Sequence, residues 1–164
     1  MFQLRAGFSE QVEWRTTAAA AREFFNDLRN FVELMPGVER ITADAEGIAR
    51  WLIRADVPVV GAIRQAFSVS KSVDEPSRIE WSPAEGERKN LLRYTATFEE
   101  REGKTRIRVE QRVELRRQHA RELHALAGLA GEGRLSAALQ KGVTEMLQSF
   151  LKRARTRLEL NTQS

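Results

Sequence analysis

The two histidines are the side chains of this sequence best suited to acid–base chemistry or to metal binding. His119 and His124 stand five positions apart, which on a helix separates them by about 140° around the axis. Metal ligation needs side chains that converge from one face, and no obvious third ligand lies nearby. We therefore expect no metal site, and we expect both histidines to be solvated rather than catalytic.

Other catalytic motifs are equally hard to find. Gly128, Gly131 and Gly133 form a glycine-rich stretch, but it lacks the lysine and the preceding strand of a phosphate-binding loop. No serine stands in an identifiable strained turn of the kind that exposes a nucleophile. The chain has no cysteine, which excludes disulfides, thiolate metal sites and cysteine nucleophiles. The sequence predicts no catalytic residue and no cofactor.

Three polar side chains, Gln65, Tyr94 and Gln111, fall on strand faces that are otherwise apolar. An unpaired amide or hydroxyl in such a place costs about 1–3 kcal/mol. A few polar groups within an apolar pocket are what a binding site uses to orient its ligand. The alternative is that the backbone, another side chain or a buried water satisfies each of them.

The same faces combine bulky aromatic residues with alanine and glycine. Such a mixture occurs in any interdigitated core, and it also occurs where aromatic walls surround an unfilled cavity. Under the cavity hypothesis, period alone assigns eight ligand-binding residues: Trp51, Gln65, Phe67, Trp81, Tyr94, Gln111, Met146 and Phe150.

Alternation with period two predicts the strands that position these residues. It is clearest where Ile107, Val109, Gln111 and Val113 alternate with charged residues. Similar segments give about seven strands in all, near residues 12–14, 38–42, 51–57, 63–69, 78–82, 92–98 and 107–113. Each has one polar face, which favours an antiparallel sheet that is covered on one side only.

Helices fill the remaining parts of the pattern. Thr16 or Thr17 can cap a first short helix, and Asn26 or Asp27 can cap a second. An apolar stripe at helical spacing predicts one long helix over residues 133–160. We therefore predict an α+β fold in which a curved seven-stranded antiparallel sheet wraps around the long C-terminal helix, with two short helices after the first strand. We expect one domain over residues 1–160 and a tail at 161–164.

Composition limits the class of protein and its partners. Apolar residues make up 41% and charged residues 30% of the chain, and no stretch approaches the ~20 apolar residues that span a bilayer. The net charge of +4 comes from interleaved acids and bases, which gives little reason to expect nucleic acid as a partner. The cationic residues 152–157 are interpreted as complementing a helix C-terminus. We expect a cytoplasmic protein with no stable membrane insertion, for which transient contact with a membrane surface stays open.

The order of elements resembles the START-like superfamily, also called SRPBCC or helix-grip proteins. The resemblance rests on Val12-Glu13-Trp14, on the segments 24–28 and 31–38, and on the terminal amphipathic helix. The Met-Pro-Gly-Val passage at 35–38 is similar to one in bacterial members that include carbon monoxide dehydrogenase G-like and coenzyme-Q-binding proteins. The resemblance covers essentially the whole chain and implies the helix-grip fold. It also implies that a lipid, quinone or polyketide is the expected type of ligand.

Three functional hypotheses follow. The first is non-enzymatic binding or transport of a hydrophobic small molecule in a cavity between the sheet and the C-terminal helix, gated by the loop after Pro58 and by residues 115–132. The second is an enzyme of the polyketide cyclase or dehydratase type, which a convergent pair of titratable groups in the cavity would favour. The third is a protein-interaction module with a vestigial pocket, which a completely filled core would favour.

Overall fold

The computed structural model describes residues 1–163 of the chain. Its strands are β1 (Phe2–Trp14), β2 (Val38–Ala43), β3 (Ile48–Val57), β4 (Gly61–Glu75), β5 (Arg78–Pro83), β6 (Asn90–Arg101) and β7 (Lys104–Arg117). Its helices are α1 (Ala18–Asn26), α2 (Leu28–Leu34), α3 (Ala127–Ala130) and α4 (Glu132–Gln163), with a 3₁₀ turn at Ala120–Glu122. Helix α4 thus continues into the predicted tail, of which residue 164 lies outside the described residues.

All seven strands form one antiparallel sheet in the order β1-β7-β6-β5-β4-β3-β2. Strands β2 to β7 are therefore neighbours in chain order, whereas β1 joins the far edge beside β7. In β6 and β7 the inward positions are mostly buried, and the outward ones are exposed or partly exposed. This arrangement confirms the predicted α+β fold, including the two short helices after the first strand.

The two short helices begin at side-chain caps. The Thr17 hydroxyl accepts a hydrogen bond from the Ala20 N–H at 3.0 Å, and the Asp27 carboxylate accepts one from the Arg29 N–H at 3.1 Å. Such caps satisfy N–H groups that have no partner within the helix. The arginine also lowers the pKa of Asp27, chiefly by hydrogen bonding to its carboxylate, so the cap is charged at neutral pH.

A glycine allows the chain to pass from α2 into the sheet. Gly37 has φ +91°, and its carbonyl accepts a hydrogen bond from the Arg54 N–H at 2.7 Å. A Cβ at this position would lie 2.9 Å from the Arg54 carbonyl oxygen. Only glycine fits here without strain, and it brings the end of α2 close to β3.

Helix α4 lies along the concave face of the sheet and is held at its β1 edge. The Gln140 amide exchanges two hydrogen bonds with the backbone of Gly7, at 2.9 and 2.7 Å. Further along, the Glu159 carboxylate accepts from the Arg15 N–H at 3.2 Å. Attachment along β1 leaves the side of α4 that faces β3 less covered. No helix within residues 1–163 is both long and apolar enough to cross a membrane.

The basic segment 152–157 lies inside α4 rather than at its end, so its role differs from the predicted one. Arg153 donates to the Leu34 carbonyl at 3.1 Å, and Arg157 pairs with Glu33 at 2.7 Å. These cations join α4 to the end of α2.

Candidate functional site

The half of the grip beneath α1 and α2 is filled by aromatic rings. The Phe31 ring of α2 lies between the sheet and α4, with its centroid 5.1 Å from that of Trp51, 5.4 Å from Tyr94 and 4.9 Å from Phe150. Offset and edge-on contacts at these distances are favourable beyond the area they bury. We call this region the aromatic half, and it leaves little room for a ligand.

Trp81 lies at the margin of the aromatic half. Its ring is buried, and the Lys71 ammonium lies 5.2 Å from the ring centroid. The same ammonium donates to the Asn26 side chain and lies 3.6 Å from the Asp74 carboxylate. The Trp81 ring is therefore covered by the Lys71 ammonium, which contacts Asn26 of α1 and Asp74 of β4.

The other half of the grip, which we call the open half, contains a cavity beneath the first turns of α4. This apolar cavity has a volume of about 50 Å³. Strands β3 and β4 form one wall, the ends of β1 and β7 a second, and α4 with the segment before it a third. Its lining residues are Leu4, Ile53, Ala55, Val57, Ile63, Gln65, Phe67, Leu115, Leu123, Leu135 and Leu139.

A groove continues from the apolar cavity along the β3 side of α4. It has a volume of about 450 Å³ and shares Ile53, Ala55, Phe67 and Leu139 with the cavity. The groove is wide because Gly142 presents no side chain to it, and a Cβ built there would meet no atom within 4 Å. Its remaining lining residues include Gly37, Gln111, Val113, Ala138, Val143 and Met146.

Two adjacent polar side chains end at the boundary between the two halves. Gln111 is 2% exposed, lines the groove, and makes no side-chain hydrogen bond to any residue of the described chain. Tyr94 is its direct partner across β6 and β7, and the buried Tyr94 hydroxyl also has no hydrogen-bond partner there. Burial raises the pKa of Tyr94 well above its usual value, so the phenol is a neutral donor. The indole N–H groups of Trp51 and Trp81 are likewise buried without a partner.

A polar network lies at the end of the apolar cavity away from the groove. The Gln65 side-chain oxygen accepts from Asn90 Nδ2 at 3.0 Å and from Arg117 Nη2 at 2.8 Å. Arg117 Nη2 also donates to the Asn90 side-chain oxygen at 2.7 Å. The side-chain oxygen of the predicted polar residue Gln65 is therefore paired with side chains, whereas the Tyr94 hydroxyl is not.

Comparison with known proteins identifies the architecture. No sequence profile of a protein family matches the chain, and no curated protein matches it either. Among solved structures, the di-domain ARO/CYC StfQ from the steffimycin biosynthetic pathway matches with TM-score 0.66 and 12% identity, over 98% of this chain and 53% of that one. The Zhui aromatase/cyclase from a Streptomyces species matches with TM-score 0.62 and 15% identity, over 93% and 95%. A START superfamily protein from Mycobacterium smegmatis matches with TM-score 0.51 and 16% identity, over 86% and 98%.

This chain has the START-type helix-grip fold. Identities this low establish the fold alone, and the chain spans only about half of StfQ.

The eight residues predicted to bind ligand divide between these two regions. Gln65, Phe67, Gln111 and Met146 line the apolar cavity or the groove. Trp51, Tyr94 and Phe150 pack around Phe31, and Trp81 lies under Lys71. Sequence reasoning missed most of the aliphatic lining, although Ile53, Ala55, Leu135 and Leu139 fall on inward faces by the same periodicity.

Neither histidine lines the apolar cavity or the groove. His119 is exposed, and His124 Nδ1 accepts a hydrogen bond from the Leu126 N–H at 3.1 Å. Within residues 1–163, no three histidine, cysteine or acidic side chains come together as metal ligands would.

Proposed function

We propose that this protein binds or transports a hydrophobic small molecule, such as a lipid, quinone or polyketide-like compound, in the open half of the grip. The observation that carries the proposal is a pair of inward polar side chains: Gln111 lines the groove, and the hydroxyl of its cross-strand partner Tyr94 is buried without a hydrogen-bond partner. Leaving such a group unpaired costs about 1–3 kcal/mol. A ligand oxygen or hydroxyl at this point would remove that cost.

The surroundings of Gln111 determine which molecules fit. The walls of the apolar cavity and groove are largely aliphatic, so a ligand gains most of its free energy from burying apolar surface. The neighbouring Tyr94 hydroxyl is a second unpaired donor. An apolar molecule that carries a carbonyl or hydroxyl group at its inner end matches both features.

Access to the cavity involves the two segments that sequence reasoning proposes as a gate. Val57 at the start of the β3–β4 turn and Leu123 in the segment before α3 both line the apolar cavity. Val59 at the tip of that turn has φ +73°, a conformation unfavourable for a β-branched residue. We propose that these segments separate when a ligand enters.

The groove can be filled without disturbing the core. In Gly142→Leu, the new side chain enters space that is empty, and loss of a mid-helix glycine favours the helix by up to about 1 kcal/mol. We expect this variant to lose binding of an apolar fluorescent probe while its melting temperature is unchanged or raised. Gly133→Leu is the matched control, because Gly133 is an exposed glycine in the first turn of the same helix.

The outcome separates binding from packing. If Gly142→Leu and Gly133→Leu both bind the probe as the parent does, the groove is not the site. If the parent binds no probe, and native mass spectrometry after gentle purification finds no retained small molecule, the binding proposal is wrong and the interaction-module hypothesis gains support.

A cyclase or dehydratase is the second candidate, since two of the structural neighbours are named as aromatase/cyclases. In this case water would take an α-proton of the substrate, and the neutral Tyr94 hydroxyl would donate a hydrogen bond to a ketone oxygen while the resulting enolate carbon attacks the ketone carbon. The alkoxide that forms would take up a proton from solvent and leave afterwards as water. Incubation with a polyketide-like ketone would then yield a product lighter by one water. Tyr94→Phe should abolish that product without abolishing binding.

A further inference from the structure

Arg117 is the last residue of β7 and continues the inward face of that strand. The buried positions Val113 and Leu115 precede it at period two, and Leu115 lines the apolar cavity. A strand sends alternate side chains to the same face, so Arg117 lies just beyond the cavity wall. Its guanidinium is partly buried there.

Every hydrogen bond of this guanidinium goes to a neutral acceptor. Nη2 donates to the side-chain oxygens of Gln65 and Asn90, at 2.8 and 2.7 Å. Nη1 donates to the backbone carbonyls of Lys89 and Arg116, at 3.2 and 2.7 Å. Within the part of the chain that the structure describes, Arg117 forms no ion pair.

The two acidic groups that act electrostatically on Arg117 accept hydrogen bonds from other residues. Desolvation lowers the pKa of Arg117, and Glu122 and Glu87 partly oppose that shift from a distance. The Glu122 carboxylate accepts from the Gln118 N–H at 3.1 Å. The Glu87 carboxylate accepts from the N–H groups of Lys89 and Asn90, both at 3.1 Å. Neither carboxylate is released without breaking these backbone contacts.

A partly buried cation held only by neutral groups is an incomplete electrostatic arrangement. A carboxylate would add to these hydrogen bonds a Coulombic attraction that a neutral oxygen lacks, and arginine presents a planar fork that a carboxylate can accept from with both oxygens. The acceptor that a ligand could replace most easily is Gln65, whose side chain itself lines the apolar cavity.

We propose that the open half selects amphipathic ligands that end in a carboxylate, and that Arg117 binds this carboxylate at the mouth of the apolar cavity. The inference rests on the proposed binding function and adds the charge of the ligand to it. The apolar part of the molecule would then extend through the cavity toward the groove and Gln111. Arg117 is thus a specificity-determining residue.

The test compares two ligands that differ only at their end group. Decanoate and decanol are titrated at neutral pH against the parent protein by displacement of the apolar probe. We expect decanoate to bind about tenfold more tightly than decanol, because the carboxylate adds Coulombic attraction to the guanidinium and a second oxygen for its fork. In Arg117→Met, decanoate should lose about tenfold in affinity while decanol stays within about twofold of the parent. Arg121→Met is the control, since Arg121 is an exposed arginine four positions further along.

Each result has a distinct meaning. A parent that binds both ligands equally overturns the carboxylate preference and leaves the binding function intact. An Arg117→Met variant that weakens both ligands alike assigns Arg117 a structural role and also overturns the inference. If Arg117→Met does not fold, Arg117→Gln is measured in its place, and the comparison in the parent needs no variant. Binding of neither ligand, with no displacement of the probe, counts against the binding function itself.

Discussion

The aromatic half and the open half of the grip differ in which segments fill the space between the sheet and α4. In the aromatic half, α1 and α2 insert phenylalanine rings between the sheet and α4, and Phe31 alone contacts three large side chains. In the open half, only the short segment between β7 and α4 covers the same concave surface, and it contributes Leu123. A residue's position on the inward face therefore does not decide whether it lines a cavity.

The two halves also differ in whether their inward polar groups have hydrogen-bond partners. In the open half, the Gln65 side-chain oxygen accepts hydrogen bonds from Asn90 and Arg117, whereas Tyr94 in the aromatic half has a buried hydroxyl without a partner. Under the proposed function, the Tyr94 hydroxyl at the boundary is the buried polar group that a bound ligand would satisfy.

The largest expected effect is the loss of the Phe31 ring. Phe31→Ala removes a fully buried ring and leaves a void that its neighbours cannot refill, so we expect a loss of about 3–5 kcal/mol in the free energy of unfolding. Leu139→Ala is the counterpart in the open half, where the side chain is only partly buried and already borders a cavity. Its loss should be less than half as large in urea denaturation. Equal losses would mean that the two halves are equally packed.

A second contrast introduces the same bulky side chain in both halves. Ala96 is 0% exposed and lies between the buried residues Ile79 and Val109, so Ala96→Phe overpacks a filled region and should cost about 1–3 kcal/mol. Ala55 lines both the apolar cavity and the groove. Ala55→Phe should therefore cost less than about 1 kcal/mol while it abolishes probe binding. Thermal denaturation of both variants tests this, and a strongly destabilised Ala55→Phe would mean that the cavity is closed.

The fold could be predicted from the sequence because its determinants are local. Alternation in strands such as 107–113 fixes their inward faces, and the apolar stripe fixes the buried face of α4. Residue types limit the N-terminal cap of each short helix to two adjacent positions, and in the structure the caps are Thr17 for α1 and Asp27 for α2.

The site could be predicted only in part, because residues far away in the sequence decide whether the space in front of an inward side chain is filled. Period alone cannot tell that Phe31, from a helix far away in sequence, occupies the space in front of Trp51 and Tyr94. Arg117 escapes prediction for a simpler reason. The predicted strand ends near residue 114, although the alternation of residues 111, 113 and 115 continues to residue 117.

The unpaired hydroxyl of Tyr94 predicts a smaller effect at neutral pH and a distinct one at high pH. Tyr94→Phe removes a buried hydroxyl that has no partner, so the variant should be more stable than the parent near pH 7 by about 1 kcal/mol, the lower end of the cost of such a group. The pKa of Tyr94 is raised by burial, so above pH 10 the unfolded chain loses this proton first and the native state loses stability as pH rises.

The measurement is direct because Tyr94 is the only tyrosine of the chain. Absorbance of the phenolate should appear only as the protein unfolds, and the fall in stability above pH 10 should be shallower in Tyr94→Phe. A phenol that ionises near pH 10 in the native protein would show that water reaches it, and the boundary between the two halves would then be open.

The smallest effect is expected on the outer face of the sheet, which neither half of the grip uses. The Arg108 side chain is 58% exposed and pairs with the Glu110 side chain, 41% exposed, at 2.9 Å. Solvent screens such pairs, which typically contribute about 0.2–1 kcal/mol. Arg108→Glu replaces that attraction by a repulsion in the same screened setting, so its melting temperature should stay within a few degrees of the parent, and probe binding should be unchanged. A loss of stability comparable to that of Phe31→Ala would mean that this face is buried against something, and the division of the molecule into a solvated outer face and a concave binding face would fail.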